Sequence, residues 1–298
     1  MTEENTKKSE IKTRINIYLY YWTLPALGAF LILNYYAPTI KLLDLTLLNP
    51  IISIVTFLFG FLITVTFTML LARVAALKES LANETGRLVS LYLLSKHLGK
   101  QFHNTIREHI DNYTIKTLQQ YTQYEASREI IYGMNKDIEQ MEIKTEQQQV
   151  IAASFLYILG EFEPIREKLE YLTSRRTEWS IKFSNHLLGI ILIILLFLNR
   201  GDSFSNAIFI ILSTIIIFLF LIIEDYDELR IGDYVNNISN SEQIFDLIGK
   251  ERYYPKSVLN RIKLEKGKTY RIGFYNKKTK RDEITTITYA PKKKHLKP

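Results

Sequence analysis

The 298-residue chain contains no cysteine, which excludes a disulfide framework, a thiolate nucleophile and a Cys-ligated metal site. Its five histidines show no H-E-x-x-H or similar ligand spacing. No nucleophile–base pair and no phosphate-cradling glycine loop stand out. His97, His103, His109 and His186 have ordinary surface or interfacial readings, so neither an enzyme, a cofactor nor a metal is expected. No secretory signal is expected either: the first apolar run follows a long polar stretch, has no A-x-A-like cleavage site after it, and reads as a retained span. Charge is missing from four apolar stretches, Ile17–Tyr36, Ile51–Ala72, Phe183–Leu198 and Ala207–Ile223, none of which holds Asp, Glu, Lys or Arg. A proton relay or a charged coupling site is therefore unsupported, and with it a pump or a voltage sensor.

Those four stretches, two pairs around a charged middle, define what the chain is. A mean hydropathy of −0.02 and 23% charged residues would suit a soluble protein, but the charges are segregated away from the apolar runs. A helix needs roughly 20 apolar residues to cross a hydrocarbon core about 30 Å thick. The third run is the shortest and is expected to need snorkelling by Lys182 and Arg200 or local bilayer thinning. The expected fold is an all-α membrane protein. Four transmembrane helices form two hairpins (17–72 and 183–223) that flank a large cytoplasmic helical domain (73–182), with a cytoplasmic N-terminus (1–16) and a small basic α+β tail (224–298).

Lysine and arginine set the orientation. They number 4 in residues 1–16, 1 in the first connection (Lys41), 15 in the middle, 1 in the second connection (Arg200) and 17 from Glu224 onward. Positive residues collect on the cytoplasmic side, which predicts a multi-pass cell-membrane protein with both termini and the middle in the cytoplasm. Tyr18, Tyr20, Tyr21, Trp22, Tyr35 and Tyr36 fit interfacial belts or packing aromatics equally well.

The second span is expected to continue as helix to about Phe102, because Val74, Leu77, Leu81, Leu88, Leu91, Leu98 and Phe102 keep one seam if Glu84 and Ser95 fill the gaps. A carboxylate on that seam is costly unless paired, with Arg166, Arg175 or Arg176 as the partner. Pro164 opens a helix with Ile165, Leu169 and Leu172 on one face, leading back to the third span. Residues 110–150 read as further amphipathic helices with turns near Gly133 and Asn135.

Within the second span Ser53, Thr56, Gly60, Thr64 and Thr68 follow each other at three- and four-residue steps, bordered by Phe57 and Phe67. Such a stripe serves close helix packing or, around an oligomer axis, lines a pore with hydroxyls and aromatic edges. Past the fourth span, Glu224, Asp225, Asp227 and Glu228 read as a solvated acidic cap pairing with Arg230. They lack the spaced loop and tight-turn glycine of a calcium site. The tail reads as a separate module with an amphipathic segment 241–262 and a β-hairpin in KTYRIGFYNKKTKRDEITTITY. Residues 250–298 carry 16 Lys/Arg against four acids. Anionic lipid headgroups or a solvated surface explain that excess better than nucleic acid, for which no binding fold surrounds the patch.

The second span running into RVAALKESLANETGRLVSLYLLS, the helical insert, and an Arg-bearing helix leading through TEWSIKFSNHLLGIILIILLFL into a tight hairpin resemble the bestrophin-like membrane domain family of prokaryotes. That family is similar in plan to the bestrophin anion channels. EDYDELRIGDY sits where true bestrophins carry an acidic cluster, but it lacks the Pro-Phe-Gly that introduces their calcium clasp, and their proline-rich entry to the third span is reduced to TEWS. The resemblance implies a homo-oligomeric channel for small anions whose second span lines the pore. A membrane-anchored interaction or signalling scaffold without a pore is the competing class.

Overall fold

In a computed structural model, the structure describes residues 17–37, 45–119, 125–229, 233–262, 264–276, 279 and 281–289. The N-terminal basic cluster, Lys41, Arg230 and the end of the tail lie outside the described residues, as do the side chains of Tyr18 and Tyr20. Nine helices are described: α1 (Ile17–Tyr36), α2 (Leu45–Ser95), α3 (Lys100–Gln119), α4 (Glu125–Glu139), α5 (Glu146–Gly160), α6 (Phe162–Ser174), α7 (Trp179–Leu198), α8 (Ser203–Asp227) and α9 (Asp233–Ile248). A small sheet in the order β1-β2-β3 follows, formed by β1 (Tyr253–Pro255), β2 (Thr269–Asn276) and β3 (Arg281–Thr288).

Contacts group the chain into two compact units, one containing Arg14–Ala75 and Arg175–Ile231, the other Ala76–Ser174 and Gly232–Pro298. In the first unit α1, the apolar part of α2, α7 and α8 share a core of Phe59, Ile63, Leu70, Leu192, Phe209 and Ile216. Gly189 permits the close approach of α7 and α8, since a Cβ there would lie 2.3 Å from Phe220 Cζ. Asn185 Nδ2 donates to Thr66 Oγ1 across 2.8 Å, fully buried. Asp202 caps α8 by accepting from the Phe204 and Ser205 amides, so the second hairpin turns within a few residues.

Among the described residues three stretches of helix are long and apolar enough to cross a membrane, within Leu48–Ser95, Glu146–Leu198 and Ser203–Asp227. Only 22% of each apolar window is buried inside the chain, so most of that apolar surface needs lipid or another copy to cover it. Lys182 pairs with Asp227, and the Arg200 guanidinium lies over the Phe197 ring at 3.8 Å while donating to the Phe197 carbonyl. Lys182 finds its partner on its own hairpin, and Arg200 also reaches α1, donating to the Leu33 and Asn34 carbonyls at 3.4 Å.

The seam on α2 is buried from Val74 to Leu91, but the helix stops at Ser95, short of Phe102. Gly99 has φ +116, a left-handed conformation that only glycine adopts without strain, and it ends one helix before α3 begins. Leu98 and Phe102 stay in the same core across that break. The turn expected near Gly133 is absent: α4 runs through it, and Gly133 instead lets the His109 ring approach, with a Cβ there only 3.0 Å from His109 Cε1.

Helix α6 begins two residues ahead of Pro164 and stops at Ser174, leaving residues 175–178 as a link to α7. The hairpin in the tail is present, with Thr269 opposite Thr288, but it carries an added parallel strand, β1, with Tyr253 opposite Arg271. Nor is the tail a separate module. Tyr253, Tyr254, Val258 and Tyr270 join the core of α3, α4 and α5, and Arg271 makes a two-pronged pair with Asp111 at 2.7 Å. Its aromatic side chains hold more apolar area than a three-stranded sheet can bury by itself, so they dock on α3 and α9.

Candidate functional site

Helix α2 has two faces. Phe59, Ile63, Thr66 and Leu70 are buried, while Ser53, Thr56, Phe57, Gly60, Thr64 and Thr68 are exposed. The small and hydroxylated stripe therefore does not mediate packing within the chain. Its hydroxyls bond back to their own helix, Ser53 Oγ to the Asn49 carbonyl, Thr64 Oγ1 to Gly60 and Thr68 Oγ1 to Thr64, at 2.8–3.0 Å. Those hydroxyls keep lone pairs on an open face. Among the described residues, nothing beyond its chain neighbours and its own helix backbone lies within 4 Å of the space a Gly60 Cβ would fill. Phe67 departs from the stripe and packs against the core, because it stands one turn from both Ile63 and Leu70.

Further along α2, Glu84 Oε1 accepts from Arg166 Nη1 at 2.9 Å and from the Tyr113 hydroxyl. The ion pair is almost dry, with side chains 3% and 8% exposed. Phe162, Arg166 and Leu169 form the buried face of α6, and this selects Arg166 for Glu84. Arg175 and Arg176 lie exposed in the link after that helix. Tyr113 carried no sequence signal as the third member of the group.

The acidic residues ending α8 are not a solvated cap. Asp225 and Asp227 are each 1% exposed. Asp227 accepts from the Thr177 amide at 2.6 Å and from its hydroxyl at 2.7 Å, and pairs with Lys182 Nζ at 2.6 Å and Arg73 at 3.5 Å. Lys182 also reaches Glu224 at 2.9 Å. Asp227 stands one turn beyond buried Ile223, so helical periodicity turns it inward, where α7 and α2 present their cations. This cluster ties the end of α8 and the start of α7 to the middle of α2. Among the described residues no group of His, Asp and Glu is arranged to hold a metal.

Three of the described histidines, His103, His109 and His186, hold structural positions. His97 is exposed, His109 pairs with Asp137 at 2.7 Å, and His186 stacks on Phe220. His103 Nδ1 lies 2.7 Å from Ser95 Oγ, which itself donates to the Tyr92 carbonyl. The ring therefore supplies the proton of the first bond. Burial, with Lys96 and Arg107 nearby, pushes the His103 imidazole below its ordinary value. In the tail, several of the basic residues are already committed: Lys250 to Glu108, Arg252 to Glu242 and Asp246, and Arg271 to Asp111. The same contacts raise the Arg252 guanidinium, and burial raises the Tyr254 phenol beside Glu242.

This architecture is similar to solved structures. A point mutant of a bacterial bestrophin homologue from Klebsiella pneumoniae matches with a TM-score of 0.60 at 8% identity over 78% of this chain and 99% of its own. A second mutant of that homologue matches at 0.52, with 10% identity, 78% and 97%. A structure described only as a membrane protein matches at 0.60, with 9% identity, 78% and 99%. Such low identity carries the fold alone. No curated protein matches the sequence. The Bestrophin-like domain, however, matches residues 24–234, well over half of the chain, and it takes in all three apolar stretches, the Glu84 pair and the Asp227 cluster. The protein is a membrane protein that belongs to the bestrophin-like family.

Proposed function

We propose that the protein is a homo-oligomeric channel for small anions, with the exposed stripe of α2 facing the conduction path. The observation that carries this reading is that Ser53, Thr56, Gly60, Thr64 and Thr68 share one exposed face among the described residues. Several copies around an axis turn that face inward to line a path. Hydroxyl groups and the positive edges of aromatic rings such as Phe57 suit a partly dehydrated anion, and bulky rings supply a constriction that gates by dewetting. The chain crosses the cell membrane four times with both termini in the cytoplasm, where its basic surface raises the local anion concentration. The dry Glu84–Arg166 pair holds the cytoplasmic continuation of α2 against its helical domain and takes no part in ion binding.

Purified protein in planar lipid bilayers tests the proposal. Anion-selective current is expected, and Thr56→Phe or Thr64→Phe should reduce it by about tenfold or more, since a ring of bulky side chains narrows a pore once per subunit. Absence of current, or current indifferent to both substitutions, overturns the channel. A monomer or a dimer in nanodiscs favours the scaffold instead.

A further inference from the structure

Arg73 is the first charged residue of α2 and stands nine residues beyond Thr64. At about 3.6 residues per turn that spacing is about two and a half turns, so Arg73 leaves the helix on the side opposite the hydroxyl stripe. Its side chain is 11% exposed. Arg73 Nη1 donates to the Asp227 carbonyl at 3.1 Å and lies 3.5 Å from Asp227 Oδ1.

Asp227 suits the part of an anchor because it is itself fixed. Its buried carboxylate accepts from the Thr177 amide and hydroxyl and pairs with Lys182. Its carbonyl ends α8, where main-chain oxygens lack intrahelical donors and a nearby cation is favoured. Leu70 and Val74 flank Arg73 and are buried, but apolar contacts are non-directional and hold a helix close more firmly than they stop it turning. A hydrogen bond and an ion pair are directional, and here both fall on one side of α2. The stripe adds nothing to that setting, since Ser53, Thr64 and Thr68 bond back to their own helix.

We propose that Arg73 is a positioning residue: anchored to Asp227, it fixes the rotation of α2 about its own axis and so selects the face bearing Ser53, Thr56, Gly60, Thr64 and Thr68 as the exposed one. The chain has no cysteine, so Val74→Cys and Ala75→Cys each give a protein with a single thiol. These neighbours lie at one depth, about 100° apart around the helix, with Val74 buried and Ala75 exposed. Alkylation depends on access, so in full-length protein in nanodiscs N-ethylmaleimide should react about tenfold faster with Ala75→Cys than with Val74→Cys. Arg73→Met leaves Asp227 with Thr177 and Lys182 and strands no buried charge. With α2 free to turn, it should slow the Ala75→Cys reaction and quicken the Val74→Cys reaction, lowering their ratio about fivefold. Arg73→Lys keeps a cationic donor toward the same carbonyl and should restore most of the ratio.

Rates that do not respond to Arg73→Met overturn the role, and so does a rise in both, which marks a loosened fold. Near-equal rates with Arg73 intact, or a lysine variant no better than the methionine one, also overturn it. The consequence for conduction rests on the proposed channel: Arg73→Met should reduce current in planar bilayers because the stripe turns from the path. Absence of current with Arg73 intact counts against the channel alone, since alkylation needs no current.

Discussion

Replacing Arg166 by methionine keeps the apolar stem of the side chain and removes the guanidinium that pairs with Glu84. With the two groups 3% and 8% exposed and 2.9 Å apart, their attraction at an effective dielectric of about 20 is about 6 kcal/mol. Desolvation of both ions offsets much of this, so the intact pair contributes little by itself. Breaking it is another matter. The variant leaves a buried carboxylate with the neutral Tyr113 hydroxyl as its remaining strong donor, and a change of this kind costs about 3–5 kcal/mol. At about 2–4 °C per kcal/mol for a unit of this size, thermal unfolding of purified protein in detergent should fall by about 6–20 °C. Combining Glu84→Leu with Arg166→Met removes both charges and should recover most of that loss. A single variant within about 2 °C of the parent refutes the reasoning, and so does a double variant less stable than the single one.

Gly189→Leu should separate α7 from α8 and lower stability by about 1–3 kcal/mol through overpacking; combination with Phe220→Ala should restore part of it, and a thermal scan in which Gly189→Leu unfolds like the parent contradicts the packing described. Gly99→Ala forces a Cβ into φ +116 and should cost about 1–3 kcal/mol, read as a fall in unfolding temperature without loss of helix by circular dichroism; no change means that the turn relaxes freely. His103 binds its proton less readily folded than unfolded. The stability this provides is present above the unfolded value of about 6.5 and is lost as pH falls through the lower folded value. His103→Gln should therefore flatten the stability profile on the acid side of neutrality, and an NMR titration placing the imidazole above 6.5 would contradict it.

Hydrophobicity read along the chain needs no partner, which is why the apolar stretches, the seam on α2 and the hairpin of β2 and β3 were legible. Each rests on a local period or a local run. The seam marked Glu84 as requiring a cation for the same reason, since a carboxylate in an apolar row is conspicuous. Which arginine answers it was not legible among Arg166, Arg175 and Arg176, because the choice depends on where α6 ends and which of its faces is buried. Asp227 read as solvated because four adjacent acids are usually exposed. Its partners stand elsewhere in the chain, Thr177 in the link before α7, Lys182 on α7 and Arg73 on α2.

By itself, then, the sequence determined that this is a helical membrane protein with a stripe of small and hydroxylated residues on its second apolar stretch, because burial in lipid selects composition residue by residue. Only the tertiary structure decided that the tail belongs to the helical core, that the chain breaks at Gly99, that Asp227 is sealed by lysine and arginine, and that the stripe on α2 stays uncovered. Those outcomes depend on which surfaces distant segments bury against one another, and pairings between distant segments leave no period along the chain.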